Sequence, residues 1–92
     1  MYRVIDGKDT GKTKKLLQEC ANNNGLYVCR HPNGVKEKCL VYGIPVVEAI
    51  GYGDFLLRDD WRTRKVYIDE LEYFVEEMVA PNFAGYTLSK ED

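Results

Sequence analysis

Long apolar runs are missing from these 92 residues. No stretch approaches the roughly 20 apolar residues a membrane helix needs, so no membrane partner is expected. The start, Met1-Tyr2-Arg3-Val4-Ile5-Asp6, has no long apolar region behind it and does not read as a signal peptide. The expected address is therefore the cytoplasm. Proline is scarce, with three residues, and no collagen-like or low-complexity pattern is present. The three cysteines, Cys20, Cys29 and Cys39, are odd in number and lack paired CxxC spacing. They read as reduced thiols, Cys20 and Cys29 as small buried apolar residues, not as a disulfide framework or a zinc cluster. A strong excess of one charge is also missing. Thirteen basic and 15 acidic side chains give −2, which argues against a dedicated nucleic-acid coat.

What is present is ordinary for one folded domain spanning residues 1–92. The chain is 45% hydrophobic and 30% charged and too short for two independent cores. Its charge is segregated. Residues 1–15 and 58–65 are net basic, whereas residues 69–92 are strongly acidic.

Strand and helix signals alternate. Tyr2–Ile5 and Leu26–Cys29 are short β-prone runs, the second apolar throughout, as in a strand covered on both faces. Between them, Thr10–Asn24 reads as a helix with Leu16, Leu17, Cys20 and Ala21 on one stripe. Gly25 is placed to serve as its left-handed cap. Pro32 suits the first turn of a second helix ending at Gly43. Val46–Ile50 is a third strand candidate, Phe55–Leu57 a short amphipathic turn, Arg58–Arg64 a charged loop and Lys65–Ile68 a fourth strand. Glu70–Ala80 has the strongest helical pattern, with Leu71, Phe74, Val75, Met78 and Val79 at i, i+3, i+4, i+7 and i+8. Tyr86–Leu88 suggests a last strand. This order predicts an α/β fold, a small three-layer α/β/α domain with a mostly parallel sheet.

The chemistry concentrates in Gly7-Lys8-Asp9-Thr10-Gly11-Lys12-Thr13, between the first strand and the first helix. A glycine-rich turn there lets backbone N–H groups converge on an anion, and the helix N-terminus adds partial positive charge. Lysine supplies a mobile cation, and the next hydroxyl can ligate Mg²⁺. Lys12, Lys14 and Lys15 oppose the helix dipole, at about 0.3–1 kcal/mol each, a cost a bound phosphate would offset. The competing reading is a tight turn with solvated lysines, capped by Asp9 or Thr10. A second element, Val66-Tyr67-Ile68-Asp69-Glu70, is an apolar strand ending in two acids. Asp69 and Glu72 also fit a capping-box-like helix start.

Together these segments resemble the Walker A and Walker B motifs of P-loop NTPases. Three residues, not four, lie between Gly7 and Gly11. Either the loop is one residue short or Asp6 takes the first-glycine position. The resemblance implies that Gly7, Lys8, Asp9, Thr10, Gly11, Lys12 and Thr13 cradle the phosphates of ATP or GTP. It implies that Thr13 and Asp69 hold Mg²⁺ and that Glu70 is the catalytic base that positions water. The whole chain is similar to small P-loop proteins of phages and prophages. The likeness runs through Cys29-Arg30-His31-Pro32-Asn33, Ile44-Pro45-Val46-Val47, Asp54-Phe55-Leu56 and Arg64–Glu70.

The expected function is nucleotide binding with Mg²⁺, with slow hydrolysis left open. One alternative is a degenerate, non-catalytic P-loop-fold interaction module whose partner is a larger phage or host protein. Another is a nucleic-acid accessory protein using residues 1–15 and 58–65 as one basic face. Arg30 and His31 follow a strand end, where ligands bind in open α/β sheets. Arg58, Arg62 and Arg64 read as a solvated loop paired with Asp59 and Asp60, or as a source of one phosphate-facing arginine. Trp61 suits a partner anchor or a cover for the core. Tyr27, Tyr42, Tyr52 and Tyr67 look structural.

Overall fold

A computed structural model describes residues 1–5 and 11–89. Its regular elements are α1 (Lys12–Asn22), β1 (Leu26–Cys29), α2 (Val35–Tyr42), β2 (Glu48–Gly51), α3 (Tyr52–Leu57), β3 (Val66–Ile68) and α4 (Leu71–Met78). Single 3-10 turns at Pro32–Gly34 and Asp60–Thr63 precede α2 and β3. The strands form a sheet in the order β2-β1-β3, and both pairings are parallel.

The apolar run Leu26–Cys29 explains this arrangement. All four residues are buried, which suits the central strand of a sheet covered on both faces. Their alternation sorts them into two cores. Tyr27 and Cys29 pack with Leu17 and Cys20 of α1, Val35 and Cys39 of α2, and Ile44. Leu26 and Val28 pack with Tyr52 and Phe55 of α3, against which Trp61 and Phe74 lean. Helices on both faces make the three-layer α/β/α domain that the alternating pattern predicts. Trp61 is half-buried and lies against Phe55 with ring centroids 5.1 Å apart, so it covers the core. Among the described residues, no helix is long and apolar enough to cross a membrane.

The structure departs from the sequence reading in places. Tyr2–Ile5 and Tyr86–Leu88 form no strand. Tyr2, Ile5, Tyr86 and Leu88 keep large exposed fractions, so neither run buries enough apolar surface to hold a ladder. The helical stripe of α4 is only partly covered. Phe74 and Val75 are half-buried, while Leu71 and Val79 are exposed. Gly43 is the left-handed cap of α2, with φ +70. Gly25 has no such role: Asn24 takes the positive φ (+50) after α1 instead. Gly25 is needed for space. A Cβ there would lie 2.6 Å from the Tyr67 ring and 2.9 Å from the Lys65 carbonyl.

At the N-terminal ends of the strands, Glu48 accepts hydrogen bonds from Arg64 (2.7 Å) and Arg58 (3.0 Å). Arg58 also pairs with Asp60. Arg58 and Arg64 therefore stitch β2 to the approach to β3. The two guanidinium groups hold the Glu48 carboxyl below its ordinary range. The unfolded chain thus takes up this proton first as pH falls. The contribution is present above the unfolded value of about 4.3 and is lost as pH falls through the lower folded value. Thermal melts from about pH 7 to about pH 2 should show Glu48→Gln losing part of the acid-side decline in Tm seen in the parent. Identical pH slopes for the two proteins would contradict this.

Candidate functional site

The site forms at the C-terminal ends of β1 and β3, where parallel α/β sheets open toward ligands. Gly11 precedes α1 with φ +76, a conformation that favours glycine, and its carbonyl accepts the Lys15 N–H at 3.0 Å. The first turn of α1 holds no acidic residue. Lys12 and Thr13 thus stand at a positive helix end whose own first turn supplies no negative charge. Asp6, Gly7, Lys8, Asp9 and Thr10 lie outside the described residues, and with them most of the expected phosphate loop.

Asp69 is fixed by the sheet. Its N–H donates to the Val28 carbonyl at 2.8 Å, which carries the β1–β3 ladder one residue further. Its carboxylate accepts from the Thr13 hydroxyl at 3.4 Å. Glu70 follows with φ +56 and ψ +63 as the residue preceding α4. The residue preceding α4 is thus Glu70, not Asp69, and the helix has no side-chain cap, so the Asp69–Glu72 capping-box start is not formed. A non-glycine residue in this region carries strain, which accumulates where structure serves a site. The Glu70 carboxylate lies 3.4 Å from Lys12 Nζ, both side chains being a little over a quarter exposed. Two segments more than fifty residues apart are therefore joined twice.

Tyr52 braces this turn. Its buried hydroxyl donates to the Asp69 carbonyl at 2.7 Å and is 3.2 Å from the Glu70 carbonyl. Its ring meets Phe74 edge-on at 5.2 Å. Burial, with the charge of Asp69 second, pushes its ionisation up, so the hydroxyl stays a donor. Sequence reasoning took Tyr52 as purely structural. The only local signal was its position directly after a strand.

Beside these groups is a cleft of about 260 Å³. Thr13, Asp69 and Glu70 line it together with Arg30, His31, Lys38, Tyr27 and Tyr73. Arg30 Nε pairs with Glu77 at 2.7 Å, and its guanidinium lies 5.1 Å from the centroid of the Tyr73 ring. Lys38 was not singled out from the sequence. Its signal is its place three residues after the buried Val35, on the same helical face. Arg58 and Arg64 are engaged with Glu48 at the opposite strand ends.

Among the described residues, no three His, Cys, Asp or Glu side chains converge as a metal cluster. The Thr13 and Asp69 oxygens are hard donors, and Mg²⁺ takes only one or two such protein ligands besides water and phosphate. The donor set therefore fits that ion. No protein-family model, no curated protein and no solved structure matches the chain.

Proposed function

We infer that the chain binds a nucleoside triphosphate with Mg²⁺ at the C-terminal ends of β1 and β3. One observation carries the reading. Lys12 and Thr13, at the start of α1, meet Glu70 and Asp69, at the end of β3, in two separate pairings of 3.4 Å. A strand that merely ends in a helix cap has no reason to meet a lysine and a hydroxyl residue from the first helix.

In this reading Lys12 contacts the β- and γ-phosphates, and the backbone of Gly7–Thr13 surrounds them. Thr13 and Asp69 hold Mg²⁺, which neutralises phosphate charge when bound. Glu70 orients water. Its pairing with Lys12 keeps both charges compensated, and a triphosphate competing for Lys12 releases the carboxylate. Hydrolysis then depends on Glu70, and binding depends on Lys12.

The test is an amide NMR titration with Mg-ATP and Mg-GTP on the parent and on Lys12→Ala. Saturable shifts should centre on Gly7–Thr13 and Asp69. Removing the lysine should weaken binding about 30-fold, from a loss of about 2 kcal/mol for a truncated charge partner. Lys12 is partly exposed and its ion pair contributes little to stability, so the variant should fold. A phosphate-release assay on Glu70→Gln reads turnover separately. Absence of shifts at millimolar nucleotide would sink the reading.

A further inference from the structure

The central strand β1 buries one hydroxyl. Tyr27 is 1% exposed, in a strand whose four residues are all buried. Its ring belongs to the core that α1 and α2 cover. Phenylalanine would fill that space without burying an oxygen, and an unpaired buried hydroxyl costs stability. The Tyr27 hydroxyl nevertheless has no partner at ordinary hydrogen-bond geometry, alone in this among the described side chains. Buried polar groups are nearly always paired, so its presence calls for an explanation.

The sheet register supplies one. Tyr27 pairs with Tyr67, and β1 and β3 run parallel. The bond from the Asp69 N–H to the Val28 carbonyl carries the ladder on to residue 69. Side chains alternate along a strand, so Asp69 shares the face of Tyr67 and Tyr27. It is the diagonal neighbour of Tyr27, and diagonal neighbours on one face lie within reach of long aromatic side chains. The helix covering this face, α1, brings Thr13, whose hydroxyl donates to Asp69 Oδ2 at 3.4 Å. All three residues line the same cleft. Burial first, then the charge and hydrogen bonding of Asp69, push the Tyr27 ionisation up, so the carboxylate is the group this hydroxyl faces. The contact is loose, and a carboxylate that accepts from Thr13 has capacity left for a second donor.

We propose that Tyr27 is a positioning residue, whose hydroxyl closes onto the Asp69 carboxylate from the sheet side and holds it toward Thr13 and a bound Mg²⁺. The role rests on the nucleotide reading above, in which Asp69 holds the cation. Ligating carboxylates are themselves hydrogen-bonded, and the groups that orient them set much of the metal affinity. Tyr52 acts on the backbone of the same residue, from the core on the other face of the sheet. Tyr27 acts on its carboxylate. The two tyrosines therefore fix different parts of Asp69, and neither touches the ligand in this role.

The test reads the ring itself and then the affinity. In protein carrying ¹³C at the tyrosine Cζ, Asp69→Asn should move the Tyr27 signal more than that of Tyr42, on the last turn of α2. Tyr27→Phe should melt at or above the parent, because the ring stays and an unpaired buried hydroxyl goes. Its affinity for Mg-ATP and Mg-GTP should fall about tenfold, the smaller effect expected for losing a group that orients a metal ligand. Its affinity for the same nucleotides with a chelator should hold. Adding Tyr27→Phe to Asp69→Asn should cost no further affinity, since the hydroxyl acts through the carboxylate. Additive losses, equal losses with and without Mg²⁺, or a Tyr27 signal blind to Asp69→Asn would each overturn the role. A parent with no response to either Mg-nucleotide would overturn the nucleotide reading and the metal half of this role together. A parent that responds, with Tyr27→Phe matching it, would overturn this role alone.

Discussion

Gly25→Ala should cost about 1–3 kcal/mol of stability, the usual range for forcing atoms into a packed interior. The new Cβ would lie 2.6 and 2.8 Å from two carbons of the Tyr67 ring and 2.9 Å from the Lys65 carbonyl oxygen. The ring is attached to the neighbouring strand, and the carbonyl cannot recede freely. It accepts the Leu26 N–H at 2.9 Å, the bond that ties the start of β1 to the approach to β3. Relief therefore means opening the sheet or rotating Tyr67 out of the core edge. Urea denaturation reads the cost directly. Gly34→Ala is the control, because nothing lies within 4 Å of its added Cβ and its φ is −92. That change should be neutral or raise stability by about 0.4–1 kcal/mol. Gly25→Asn separates two explanations of the glycine. A left-handed cap would accept asparagine, whereas a crowded site makes asparagine at least as costly as alanine. Parent-like stability of Gly25→Ala would mean that the two strands can separate there at no cost.

Gly25 also shows where local sequence runs out. In Asn22-Asn23-Asn24-Gly25, both Asn24 and Gly25 tolerate positive φ, and local preference favours glycine. The choice fell to Asn24 because Tyr67, forty-two residues later, leaves room only for a residue without a side chain. The alternation of strands and helices was legible because each signal is local. Leu26–Cys29 is apolar throughout, Leu17 and Cys20 lie on one helical stripe, and Gly43 stops a helix. Tyr2–Ile5 has the same β propensity but is without a ladder, and propensity alone does not hold a strand. In the site, Lys12, Thr13, Asp69 and Glu70 could be named because their motifs are contiguous in sequence. Tyr52 could not. Its role comes from which strand end faces which helix, and a tyrosine after an apolar strand looks like core until its hydroxyl is followed. Arg58 and Arg64 show the converse. Their partner Glu48 is ten and sixteen residues away in sequence, so the basic patch seen in the sequence is largely neutralised at the strand ends opposite the cleft.

On the proposed nucleotide reading, with Asp69 as a metal ligand, Tyr52→Phe should weaken Mg²⁺-supported nucleotide binding about 10–100-fold, the range seen when a group that orients a metal ligand is removed. The change deletes one oxygen and keeps the ring against Phe74. Lost with that oxygen is the 2.7 Å bond to the Asp69 carbonyl and the contact with the Glu70 carbonyl. The Glu70 carbonyl keeps the N–H groups of Tyr73 and Phe74, at 3.0 and 3.2 Å. The fold should therefore survive with a loss of about 0.5–1.5 kcal/mol, that of one hydrogen bond. The backbone of Glu70 is another matter. A non-glycine residue in its region costs on the order of 1–3 kcal/mol and persists only where its surroundings over-determine it. The Tyr52 hydroxyl is one of the groups that do so. Without it the turn can relax, and the Asp69 and Glu70 carboxylates turn away from Thr13 and Lys12. Titrating nucleotide with Mg²⁺ and again with a chelator separates this from simple destabilisation. A positioning role predicts that the Mg²⁺-dependent part of the affinity falls while the metal-free part, carried by Lys12 and the loop amides, holds. Equal losses in both titrations would show that Tyr52 supports only the packing. An unchanged Mg²⁺ dependence would remove Asp69 from the metal's surroundings as well, because the hydroxyl touches the site only through that strand end.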